Sequence, residues 1–590
     1  MDRSQVSNSD KWNVESLYLS LEDWKKEFAK HAGEPRWPEL AVFRGRLHEG
    51  AKTIAQMLEV YFNLEQHLSK LYTYAHLRHD EDVGNDSHKQ AYQLIATLLN
   101  DFRQESCWIE PELLQLNSLD LNAKELEPYR FYIQKILRQK PHTLRADQEE
   151  ILAAAGLALD SSSRAFSAFN NADLRFPPVE DAQGKLQPLT HAKYLAYLRS
   201  FDRTLRKNAF QALHTSYLSW ENTLCELIHG EVQTHLFNAR TRKFPSCLAA
   251  ALFSHNIDPK VYMNLIAAVR QNLPALHRYM GLRKKVLKVD ELHLYDLHVP
   301  LVSDAEIKME YEPAARMIVD SVAPLGTTYQ SILEKGFFQD RWVDRYENLR
   351  KRSGAYSSGC FGGMPYILMN YQGNYNDIKT LAHEAGHSMH SFFSWKTQPY
   401  QVASYPIFVA EVASTFNEEL LHRHLMKTIE DSKTKAYLIN QKIEDIRNTF
   451  FRQVMFAEFE LKIHQFVEQG IPLTPSQLKT EYHQLNVDYF GPSVVIDEAI
   501  DIEWARIPHF YYNFYVYQYA TGISAASALI DLVSKDGSEK YLQFLSSGGS
   551  RYPLELLQTA GVDMYTPSAV EATIAHFSHL TDELQRIILP

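Results

Sequence analysis

Leu381-Ala382-His383-Glu384-Ala385-Gly386-His387-Ser388-Met389-His390 places a His-Glu-x-x-His pattern inside a run that reads as a helix. Residues four apart lie one turn apart on the same helical face, so the imidazoles of His383 and His387 converge on one point. A zinc ion fits there. A catalytic zinc takes three protein ligands and leaves its fourth position to water. Glu384, set between the histidines and close to that water, can act as general base while the metal lowers the water's pKa toward ~7.

This pattern is the signature of zincin metallopeptidases. It calls for a third ligand, and the helix-forming run Phe408 to Leu421 offers Glu411. Val409, Ala410, Val412 and Ala413 flank that carboxylate, and an unpaired carboxylate in so apolar a setting is costly to bury. Metal coordination removes the cost. Glu418, two turns further along the same face, can orient a ligand histidine from behind; a solvated helix flank accounts for Glu418 and Glu419 equally well.

Upstream, Ser353 to Tyr371 gathers four glycines in a chain that otherwise avoids them, and then runs on as a strand from Tyr366 to Tyr371. Glycine permits close backbone approach. The segment is expected to form an edge strand of a small β-sheet next to the zinc helix, with Gly359, Gly362, Gly363 and Tyr366 meeting a substrate backbone by strand addition. A surface hairpin is the alternative. Cys360 reads as a small packing residue.

Downstream, Ile507 to Gly522 is rich in tyrosine. Read as one helix, it puts Tyr512, Tyr515 and Tyr519 on a single face with His509 one turn ahead. A phenol or imidazole aimed at the reacting carbonyl stabilises the oxyanion by ~3 kcal/mol. His509 and Tyr512, then Tyr515, are the candidates for that role. A buried aromatic helix with satisfied hydroxyls explains the same row.

Glycine (23) and proline (24) are scarce among 590 residues, so helix should far exceed its usual third of the chain. The net charge of -11 is spread along the chain, which argues against a nucleic-acid or anionic-membrane partner. Four cysteines without a Cys-x-x-Cys pair, and a polar Met1 to Lys11 with no apolar leader, point to the cytoplasm. Ser20 can cap a first helix. Asp258-Pro259 opens another, in which Tyr262, Leu265, Ile266, Val269, Leu273 and Leu276 recur at helical spacing and should face a core. Prolines around Gln183-Gly184 mark a small hairpin. A boundary near residue 200 gives an N-terminal helical domain, 1–200, and a catalytic domain, 201–590.

Taken together in order, the Trp12 to Tyr18 opening, Leu294-Tyr295-Asp296-Leu297, the glycine-rich strand, the His383 to His390 motif, the Glu411 segment and Ile507 to Gly522 resemble oligoendopeptidase F of the thimet oligopeptidase and neurolysin family of zinc metallopeptidases. The resemblance implies a neurolysin-like zincin, mainly α, with two helical halves around a deep substrate channel, one wall of it formed by the N-terminal domain. It implies His383, His387 and Glu411 as ligands of one Zn2+, Glu384 as base, and internal cleavage of short unstructured oligopeptides by zinc-bound water. The family's carbonyl-contacting histidine and tyrosines have a different spacing, and no gap-free match places them on His509 to Tyr519. A zinc exopeptidase and a non-catalytic peptide-binding protein are the other readings; Glu384 counts against the latter, since a structural zinc site needs no base. Oligomeric state is left open.

Overall fold

The computed structural model describes residues 1–34, 36–116, 118–302 and 307–589. Helix makes up 70% of the chain, about twice the usual share, in keeping with the scarcity of helix breakers. Two compact units form, each from three separated segments. The first comprises Met1–Lys140, Glu306–Leu425 and Leu529–Val562; the second comprises Pro141–Ala305, Met426–Ala528 and Asp563–Pro590. These units do not coincide with a division into 1–200 and 201–590. Residues 141–200 belong to the second unit because their helices, such as Ser161–Ala168, pack on Glu221–Thr241.

The first unit is built on the 31-residue helix Ala51–Glu81, whose apolar stripe carries a core that includes Trp12, Trp24, Tyr366 and Leu368. Two of the indole donors inside this core are satisfied: Trp24 Nε1 donates to the Leu71 carbonyl at 2.9 Å, and Trp12 Nε1 to Glu81 Oε1 at 2.6 Å, whereas Trp37 Nε1 is buried with no acceptor among the described residues. Ser20 caps Leu21–His31 by accepting from the Asp23 amide. A three-stranded sheet completes the unit. Pro365–Leu368 lies in its middle, with Val343–Asp344 parallel on one side and Tyr356–Gly359 antiparallel on the other. All four residues of the middle strand are buried, as a strand covered on both faces requires.

In the second unit the hairpin around Gln183-Gly184 forms as Val179–Glu180 paired with Leu186–Gln187. Asp258 caps Pro259–Gln271, and Tyr262, Leu265, Ile266, Val269, Leu273 and Leu276 are all buried, although Leu273 and Leu276 lie on the next helix, Leu273–Leu287. A π-helical turn, Arg447–Phe451, joins the helices Ser432–Ile446 and Arg452–Glu468. The four cysteines are unbridged; Cys107 is exposed, and Cys225, Cys247 and Cys360 are buried. No helix among the described residues is long and apolar enough to cross a membrane.

Candidate metal centre

The His-Glu-x-x-His pattern lies on the helix Tyr375–Thr397. Asn374 starts it: its side chain accepts from the Asp377 amide at 3.1 Å, and Asp377 accepts in return from the Asn374 amide at 3.2 Å. This reciprocal cap satisfies donors that a helix start leaves open and fixes the register that puts His383 and His387 on one face. Glu411 comes from a second helix, Ile407–Thr428. The two helices touch at Gly386, where an added Cβ would lie 2.5 Å from the Ala413 carbonyl oxygen and 2.6 Å from Ser414 Cα. No side chain fits in that crossing. The glycine inside the motif therefore sets how near Glu411 comes to the histidines.

His383 Nε2 and His387 Nε2 are 3.2 Å apart. Glu411 Oε2 lies 3.6 Å from His383 Nε2, and Glu411 Oε1 lies 3.9 Å from His387 Nε2. Two atoms each about 2.0–2.1 Å from one tetrahedral ion are about 3.3–3.4 Å apart, so the donor set fits zinc. Its chemistry fits as well. Two imidazole nitrogens facing each other at this distance cannot both carry protons, and a shared cation satisfies both lone pairs and the carboxylate.

The remaining contacts hold the ligands from behind. His383 Nδ1 lies 2.5 Å from Glu418 Oε1, and His387 also bonds the Ala410 main chain. Such partners fix the ring orientation and tautomer of a metal-binding histidine. Burial opposes the charge of His383, but its hydrogen bond to Glu418 and the nearby carboxylates push it up to about 9. Burial, and then repulsion from His383, push His387 down to about 3. Glu384 is raised to about 7, by burial first and then by Glu411, against the pull of His383 and the Ser357 main chain. His390, one turn beyond, is fully buried and stacked on Tyr405 with ring centroids 3.6 Å apart; it is not part of the ligand set.

The glycine-rich segment forms Tyr356–Gly359, an edge strand against this helix, with Ser357 Oγ 2.8 Å from Ser388 Oγ. Its other expected contributors lie elsewhere. Tyr366 is 0% exposed in the middle strand, its hydroxyl 2.7 Å from Ser16 Oγ, and so faces the core rather than a substrate. Gly359 and Gly363 are glycine for internal packing: a Cβ at Gly359 would meet the Trp395 ring at 2.5 Å, and one at Gly363 would meet Cys360 Sγ at 3.1 Å. Gly362, at φ +78°, makes the turn between the strands. Ser357, Ser388 and Gly386 were missed in the sequence; only the position of Gly386 inside the motif hinted at a role.

The tyrosine-rich segment belongs to the second unit, and it is not one helix. A short helical turn, Pro508–Tyr511, ends before Asn513 and Phe514, both in the left-handed region at φ 49° and 59°, and a new helix begins at Tyr517. The break does not scatter the rings. His509 lies 5.7 Å from Tyr512, 6.5 Å from Tyr515 and 5.9 Å from Tyr519 between centroids, and Tyr512 is 54% exposed. His509, Tyr512 and Tyr515 thus cluster, though not as a helical row.

Comparison with known proteins bears on this site. Residues 196–576 match peptidase family M3, and residues 115–176 match the family described as oligopeptidase F. Oligopeptidase PepF of Bacillus subtilis is 44% identical over all of this chain and 88% of its own length; an oligoendopeptidase F homolog of Borreliella burgdorferi is 38% identical over the full length of both. Among solved structures, one from Chlamydophila abortus superposes with a TM-score of 0.96 at 40% identity, covering 99% of each chain. Oligoendopeptidase-F from Enterococcus faecium gives 0.71 at 34% identity over 96% of this chain and 98% of its own. Matches that run through the motif and along the whole length place this chain in peptidase family M3 as a metalloendopeptidase of the oligoendopeptidase F group.

Proposed function

We propose that the chain is a zinc-dependent endopeptidase of short unstructured oligopeptides, with His383, His387 and Glu411 holding the ion and Glu384 as general base. The convergence of three donor atoms within 4.8 Å of one another, beside a carboxylate on the same helix, carries this reading. The names of the relatives support oligopeptide substrates. When bound, zinc supplies Lewis acidity, acidifying a water molecule and polarising the scissile carbonyl. Glu384 takes the water's proton on its carboxylate and delivers it to the leaving amine nitrogen. Glu418 holds His383 in place for that work. The edge of Tyr356–Gly359 away from the middle strand, where Ser357 already meets Glu384 and Gly359 meets Thr73, is where an extended substrate would add its main chain. The four unbridged cysteines support the cytoplasm as the compartment.

The test is cleavage of an internally quenched peptide of about ten residues, blocked at both ends, by the native protein and by Glu384→Gln at equal zinc content. Internal cleavage should fall by a factor of about 10²–10⁴ in the variant, the usual worth of a positioned base. Cleavage confined to the terminal bonds of unblocked peptides would favour an exopeptidase. His509, Tyr512 and Tyr515 remain the candidates for the oxyanion donor; Tyr512→Phe should lower kcat with little change in KM, and an unchanged kcat removes Tyr512 from that role.

A further inference from the structure

The second unit contains a cavity of about 380 Å³, within the range of about 300–1,000 Å³ typical of small-ligand sites. Three arginines line it: Arg447 in the π-helical turn, Arg452 just after that turn, and Arg506. Turns of this kind concentrate at functional sites.

Buried cations need matching carboxylates, and here the match is one to two. Glu503 Oε1 accepts from Arg452 Nη2 at 2.5 Å and from Arg506 Nη1 at 3.1 Å, while its Oε2 accepts from the Tyr482 hydroxyl at 2.7 Å. Glu444 is shared in the same way, by Arg447 at 2.6 Å and Arg283 at 2.8 Å. The three arginines of the wall thus share two carboxylates, one of them also serving Arg283 outside it, and the wall keeps an excess of positive charge. His298, in the same wall, is held well below its ordinary value by burial and then by Arg447, Arg452 and Arg283, so it adds no further charge.

Aromatic rings cover the guanidinium faces, Phe456 at 4.8 Å from Arg452 and Tyr194 at 5.4 Å from Arg506. The N–H edges are left over. Among the described residues no acceptor reaches Arg452 Nε or Nη1, nor Arg506 Nε or Nη2, and Arg506 Nε is buried without a partner. Asn486, in the same wall and fully buried, has its Oδ1 unpartnered. On Arg506, bonded to Glu503 through Nη1, the parallel Nε–H and Nη2–H are left as a planar fork that matches a carboxylate; Arg452, bonded through Nη2, offers Nη1 as a single further donor. An unpaired amide oxygen beside it suits a ligand that also brings an N–H.

We propose that this cavity captures the free C-terminal carboxylate of a peptide, with the Nε–Nη2 edge of Arg506 holding the carboxylate, Arg452 Nη1 adding a donor, Asn486 Oδ1 accepting a main-chain N–H, and Leu198, Phe210 and Phe490 receiving an apolar last side chain. The anion site stands on the geometry of this unit; assigning its occupant as a peptide rests on the peptidase reading.

Calorimetric titration of the zinc-loaded Glu384→Gln protein tests it, using an N-acetylated tetrapeptide ending in leucine, as acid and as amide. An amidated tetrapeptide ending in glutamate and inorganic phosphate serve as controls. The acid should bind at least tenfold more tightly than the amide. Adding Arg506→Gln should abolish that preference, and Arg506→Lys, which keeps the charge without the fork, should restore only part of it. Equal binding of acid and amide overturns the proposal, as does a preference that survives Arg506→Gln. A glutamate amide or phosphate that binds as well as the acid overturns the assignment to a chain terminus. Acid preference without any peptide cleavage would sink the peptidase reading and leave the site standing, while cleavage without acid preference does the reverse.

Discussion

Gly386 carries no functional group, yet the candidate metal centre is assembled across it. An added Cβ at 2.5 Å from the Ala413 carbonyl oxygen must push apart the two helices that carry the candidate donors, and Glu411 travels with the second helix. Gly386→Ala is expected to destabilise the first unit by about 1–3 kcal/mol, the usual range for overpacking, and to weaken zinc at least tenfold. A melting curve and competition with a chromophoric chelator measure the two effects; unchanged affinity would show that the helices tolerate the shift. At this scale the candidate donor set was legible because helical periodicity alone brings His383 and His387 together, and an apolar context marked Glu411. Tyr366 was misplaced because the strand run alone does not say that it lies in the middle of the sheet with both faces covered. Its burial against Ser16 depends on a segment 350 residues away.

The tyrosine-rich segment shows what an element owes to distant residues. Its composition reads as one helix, but Asn513 and Phe514 take left-handed φ values, which cost a bulky residue on the order of 1–3 kcal/mol. The Phe514 amide donates to Glu460 Oε1 at 2.6 Å, and Glu460 lies on Arg452–Glu468, far outside any local window. No local signal announces such a break. Burial raises Glu460 from 4.5 to about 8, partly opposed by that amide. The folded chain thus keeps a proton that the unfolded chain releases near 4.5. Folding takes up a proton between these values, so this group's contribution is fully present below about 4.5 and is lost as pH rises through about 8. Denaturant titrations across pH 5–9 should show that loss in the native protein, and Glu460→Gln, which cannot ionise, should flatten it. A slope unchanged in the variant would assign the effect to other groups.

Over the whole molecule, the helical class and many core positions followed from composition and spacing, whereas the division into units did not. Nothing in composition changes where the chain passes from one unit to the other near residues 140, 305, 425, 528 and 562, and contacts between distant segments decide it. Each unit draws on residues from both sides of position 200. Fragments 1–200 and 201–590, expressed alone, are therefore expected to lack a cooperative thermal transition, while co-expression should recover zinc binding; circular dichroism melts decide the point, and a sharp melt of either fragment alone would contradict it. The cysteines turn the same partition into a clock. Cys107 is open to reagent from the start, Cys360 is sealed in the first unit, and Cys225 and Cys247 are sealed in the second. Pulsed alkylation read by peptide mass spectrometry thus dates the opening of each unit separately, with no label added and no residue changed.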